Sequence, residues 1–115
     1  MATPVQHLVL FRFPGPPDPE VEAEMRRQIA GWVGAVPGLR RLRFGADVGG
    51  RAEGYQYGLL TEFDDAQALA GYLPHPLHRA FLEWVRARPV EVLRFDYPLT
   101  AQTALLEPGR GGRAQ

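Results

Sequence analysis

The chain has 115 residues, a formal net charge of +0 at pH 7 and 45% hydrophobic residues. That length makes one domain with one core, and zero net charge supplies no bulk attraction to nucleic acid or anionic lipid. It contains no Cys, Lys or Ser, which excludes disulfides, thiolate metal sites, lysine Schiff bases and a serine triad.

The segment VQHLVLFRF (5–13) alternates. Val5, His7, Val9, Phe11 and Phe13 share one face, and Leu8, Leu10 and Arg12 share the other. Both faces are apolar at mid-strand, so the strand is expected to be covered on both sides. PGPPDP (14–19) breaks the pattern. Asp18 then suits an N-cap, with Pro19 at the first helical position and Glu20 and Glu22 in the first turn. Val21, Met25, Ile29, Trp32 and Val36 continue at helical spacing, which predicts one amphipathic helix up to the stop at Pro37 and Gly38.

LRRLRFGADV (39–48) reads as the second strand and YQYGLLTEF (55–63) as the third, joined as an antiparallel hairpin across GGRAEG. Asp64 or Asp65 caps a short helix. Pro76 opens another, and Pro89 ends it. VEVLRFDY (90–97) is the last strand. Residues 99–115 read as a C-terminal tail expected to be partly disordered, after a domain spanning 1–98.

The order β-α-β-β-α-α-β makes an α+β fold: a ferredoxin-like four-stranded antiparallel sheet with its helices on one face. The other face would carry Leu8, Leu10 and Leu60 among Arg12, Arg43 and Glu62. An open, half-apolar sheet face predicts a homodimer, sheet against sheet. No apolar run reaches 18 residues and no basic-then-apolar leader is present, so a cytoplasmic protein without a membrane partner is expected.

HLVLFRF, VPGL with FGADV, GYQYGLLTEFDD, YLPHPLHRAF and the late FDY together resemble the stress-responsive A/B barrel (Dabb) family over about residues 5–98. The resemblance implies a dimeric α+β barrel. Within that family the chain is similar to polyketide cyclases of the olivetolic acid cyclase type, which close a linear polyketide by aldol condensation without a cofactor. Their catalytic tyrosine and histidine match Tyr72 and His78, and a pocket histidine matches His7. A third-strand histidine is replaced here by Tyr57.

The residues themselves favour acid–base over covalent chemistry. If Pro76 opens the helix, His78 sits in its first turn, where free amides and the dipole disfavour imidazolium by about 0.3–1 kcal/mol. A neutral imidazole is what a general base needs. A tyrosine is a poor base but a good donor to a developing enolate, which suits Tyr72. Each residue also has a plainer role, His78 as a helix-end partner and Tyr72 as a packed aromatic. His75, held extended before Pro76, reads as a structural corner residue.

His7 on an apolar strand face reads as a core histidine or a pocket wall. Tyr57, Phe11, Leu59, Phe81 and Trp84 are core by default, and some would line a cavity for a small hydrophobic or aromatic ligand. A metal would need His7, His75 and His78 to converge. The last two are spaced i, i+3 across a proline, unlike helical zinc pairs, so no metal is expected.

The leading expectation is therefore a cofactor-free acid–base enzyme of the aldol or cyclisation type acting on a small poly-carbonyl compound. The alternatives are a non-catalytic dimeric stress or ligand-binding protein, and a cofactor-independent oxygenase or isomerase.

Overall fold

Alternating apolar residues build four strands, which form one antiparallel sheet. They are β1 (Val5–Arg12), β2 (Leu39–Ala46), β3 (Tyr57–Phe63) and β4 (Glu91–Pro98), in the order β2-β3-β1-β4. The computed structural model describes residues 2–103. Three helices complete the layer: α1 (Pro19–Ile29), α2 (Ala66–Tyr72) and α3 (Pro76–Arg86). The architecture is the ferredoxin-like α+β fold.

The helix starts follow their capping chemistry. The Asp18 carboxylate accepts from the Glu20 amide at 2.9 Å, and Asp65, not Asp64, accepts from the Ala68 amide at 2.8 Å. Pro19 and Pro76 each occupy a first-turn position that needs no amide donor.

Two expectations need correction. Helix α1 ends at Ile29, well before the expected stop at Pro37 and Gly38. Trp32 and Val36 keep their helical spacing and are buried, but they sit in hydrogen-bonded turns: Val36 N–H donates to the Trp32 carbonyl at 2.8 Å. Gly31 and Gly34 interrupt the helix here, and Gly34 adopts φ +93. The hairpin strands are also shorter than expected. Strand β2 stops at Ala46 and β3 starts at Tyr57, because Gln56 leaves the alternation. The Gln56 side chain is buried; it accepts from Phe13 N–H and donates to the Gly15 carbonyl, so it holds the proline-rich turn.

Directly opposite residues of antiparallel strands project to the same side. On β1 the inward set His7, Val9 and Phe11 faces Thr61, Leu59 and Tyr57 on β3. Under the helices these residues join Met25, Ile29, Trp32, Phe63, Tyr72, Phe81 and Val85 in the core. Each large apolar side chain taken fully from water contributes about 1.5–3 kcal/mol. The outward set Leu8 and Leu10 faces Phe95 and Leu93 on β4, which are 62% and 52% exposed. The tail past residue 103 lies outside the described residues. Leu99 N–H donates to the Pro4 carbonyl at 2.8 Å, extending the β1–β4 ladder by one step.

Candidate functional site

Tyr72 is the last residue of α2, and His78 lies in the first turn of α3. The corner between them is closed by three hydrogen bonds. His75 N–H donates to the Tyr72 carbonyl at 3.0 Å. The His75 side chain caps α3, its Nδ1 accepting from Leu77 N–H at 3.1 Å. The His78 Nδ1 and the Leu73 carbonyl lie 2.8 Å apart. Pro74 and Pro76 stiffen the turn. The corner sets the two rings against each other in a tilted contact, with centroids 4.2 Å apart and planes 37° from parallel.

His7 meets them from the sheet. Its ring lies edge-on to Tyr72 with centroids 6.0 Å apart. Its Nδ1 pairs with the carboxylate of Asp96, its cross-strand neighbour on β4. Asp96 is half exposed, while His7 is buried. The His7 carbonyl accepts from the fully buried Thr61 hydroxyl at 3.2 Å, which ties this strand position to β3. Trp32 and Phe63 close the remaining sides of the Tyr72 ring.

The electrostatics separate the two central groups. A carbonyl only accepts, so the neutral His78 carries its proton on Nδ1 toward Leu73, and its Nε2 is left as a bare acceptor. Burial holds the His78 pKa below the ordinary imidazole value. The Leu73 bond opposes that shift, and the charges of His7, Arg94 and Arg86 add to it. Tyr72 is 1% exposed, and burial raises its pKa far above the ordinary phenol value. Its hydroxyl makes no hydrogen bond to any other described residue. One neutral acceptor and one protonated donor therefore sit side by side.

A family model for the stress responsive A/B barrel domain matches residues 5–99. The chain belongs to this family. A relative of Arabidopsis thaliana, the stress-response A/B barrel domain-containing protein HS1, is 28% identical over 100 residues, which is 85% of this chain and 92% of HS1. A dimeric ferredoxin-like protein of unknown function from Thermobifida fusca superposes with a TM-score of 0.74 at 24% identity, covering 85% of this chain and 92% of that one. A hydroxynitrile lyase from Passiflora edulis gives 0.71 at 17% identity, covering 84% and 94%. At these identities the structural likeness is one of fold, and it shows that the fold carries enzymes as well as proteins without assigned chemistry.

In this A/B barrel domain the expected site residues fall into three groups. His7, Tyr72 and His78 come together. Phe81 and Phe11 form the next layer: Phe81 touches Trp32 at 5.3 Å and Phe11 at 6.0 Å between centroids, and Leu59 is buried beside them. Tyr57 is elsewhere. It lies four residues before Thr61, roughly 13 Å along the strand, and packs on Phe13 and Phe44. Its hydroxyl accepts from Asp18 N–H at 3.1 Å. Trp84 is half-buried at the margin of the core, under the Arg88 guanidinium at 3.8 Å.

Asp96 and Trp32 are the site neighbours that sequence reasoning missed. Asp96 stands inside the FDY motif, which is the one signal that pointed to it. A cavity of about 500 Å³ opens at the Tyr57 end, among Phe13, Pro16, Pro17, Val21, Tyr57 and Arg88. His7, Tyr72 and His78 do not line it. Among the described residues no three His, Cys, Asp or Glu side chains are grouped to hold a metal ion, and no helix is long and apolar enough to cross a membrane.

Proposed function

We propose that the domain is a cofactor-free acid–base enzyme of the aldol or cyclisation type, acting on a small poly-carbonyl compound such as a polyketide-like chain. The observation that carries this reading is the pairing of a bare His78 Nε2 with the unpartnered hydroxyl of Tyr72, ring against ring. His78 would take a proton from a carbon next to a carbonyl. Tyr72 would donate a hydrogen bond to the resulting enolate oxygen, where its raised pKa keeps the proton in place. The enolate carbon would then attack a second carbonyl of the same chain, and the proton held on His78 would return to the new alkoxide. His7, oriented by Asp96, would bind a further carbonyl or hydroxyl at the sheet side.

The second reading is a non-catalytic, dimeric ligand-binding or stress-associated protein. The packing of Trp32, Phe63 and Tyr72 favours it, since these rings leave the pair closely covered. Turnover of a linear poly-β-carbonyl probe separates the two. His78→Ala and Tyr72→Phe should each lower it about tenfold or more, with the circular-dichroism spectrum unchanged. Equal turnover in both folded variants would assign the corner to the second reading.

A further inference from the structure

We infer that Arg94 binds an anionic group of the compound that reaches His78 and Tyr72, so the site favours carboxylates over neutral carbonyl compounds of similar size. The inference deepens the acid–base reading above and depends on it only for the chemistry that follows binding.

Strand β4 is an edge strand, and its inward positions are Val92, Arg94 and Asp96, opposite Phe11, Val9 and His7. Val92 is partly buried against the core. Arg94 and Asp96 are on the same side of the sheet and remain exposed. This strip is the open flank of the site. Asp96 is committed to His7. Arg94 makes no ion pair with any described residue. Same-face neighbours on a strand are spaced about 6.8 Å apart, so the guanidinium starts one step from the His7–Asp96 pair. Val9, its opposite neighbour, offers it no partner.

The charges that reach His78 are those of His7 and Arg94 from the sheet and of Arg86 from its own helix. Asp96 is the acid on this flank, and it is already paired. The flank therefore has cationic charge without a matching anion. The buried hydroxyl of Tyr72, whose ring lies edge-on to that of His7, is a second polar group without a partner among the described residues. A carboxylate or a 1,3-dicarbonyl enolate would give the planar fork of Arg94 its anion, and a carbonyl of the same compound that reached Tyr72 would take its proton. An arginine there would also lower the cost of forming an enolate in the bound compound.

Benzoate and benzyl alcohol are matched probes that differ in charge. Their binding is read from the imidazole proton signals of His78 in NMR titrations of the full chain. Benzoate should shift those signals saturably and bind more tightly than benzyl alcohol. Arg94→Gln should weaken benzoate about tenfold or more, the scale of one charge-assisted hydrogen bond, and leave benzyl alcohol unchanged. Arg94→Lys should keep part of the preference. The position is exposed, so these variants should fold. Unchanged benzoate affinity in Arg94→Gln, equal binding of the two probes by the wild type, or no effect of benzoate on His78 overturns the inference. If benzoate binding follows Arg94 while His78→Ala keeps full turnover, the anion site stands and the acid–base reading falls.

Discussion

The basic nitrogen of His78 depends on two opposed influences. Burial favours the neutral ring, and the Leu73 carbonyl, which accepts from Nδ1, favours the proton. Burial prevails, and the bond then decides which nitrogen keeps the remaining proton. This has a consequence for stability. In the unfolded chain the group titrates near ~6.5, and in the folded chain it titrates lower. Between those two values the unfolded state binds more protons, so stability rises with pH there. The contribution is complete above roughly pH 6.5 and is lost as pH falls through the window toward the folded value. Urea midpoints at roughly pH 7.5 and 5 should show a drop on the acid side that is smaller in His78→Gln. An equal drop in the two proteins would mean that His78 is not the group that titrates. The same shift should keep any His78-dependent turnover active below the pH at which an ordinary histidine charges.

At the scale of elements, the contact between the turn before β2 and helix α2 depends on the absence of one methyl group. Gly38 adopts φ +81, and a Cβ there would overlap the Cβ of Ala68. Gly38→Ala should destabilise the domain by about 2–4 kcal/mol, combining overpacking with left-handed strain. Adding Ala68→Gly should recover the overpacking share and leave the strain, which a urea double-mutant cycle would measure. The glycine was legible as a helix stop, but its neighbour was not. The same division runs through the fold. Strands β1 and β3 were readable because alternation is local, and α3 was readable because Pro76 and its apolar stripe are local. The end of α1 was misread because Trp32 and Val36 keep helical spacing while their backbone turns away at Gly31 and Gly34. Tyr72 and His78 sit six positions apart across a proline corner, so their proximity could be foreseen. The His7–Asp96 pair could not, because 89 residues separate the partners and only the β1–β4 register joins them.

At the scale of the molecule, β4 serves two faces with alternate residues. Arg94 and Asp96 point inward to the site, while Leu93 and Phe95 point outward beside Leu10 and Leu8. On the outward side the apolar strip continues to Leu60 and Gly58, where a hollow of about 470 Å³ lies against Phe44 and Tyr55. Large aromatic and aliphatic side chains left more than half in water are costly in a monomer. A second copy set on the same face by a two-fold axis would cover both strips at once, and the Thermobifida fusca neighbour of this fold is dimeric. Sedimentation at micromolar concentration should therefore give two copies, and Phe95→Glu, which places a charge at a position now 62% exposed, should give one. A wild-type monomer would remove the pairing. The two faces of β4 also predict a coupling. Edge strands fray when nothing holds them, and in this fold the partner copy would hold the strand that carries Asp96 and Arg94. The Phe95→Glu variant should thus show faster amide exchange along β4 and weaker benzoate binding at Arg94, although Phe95 touches neither His78 nor Tyr72. Monomerisation with unchanged exchange along β4 would separate the dimer face from the site.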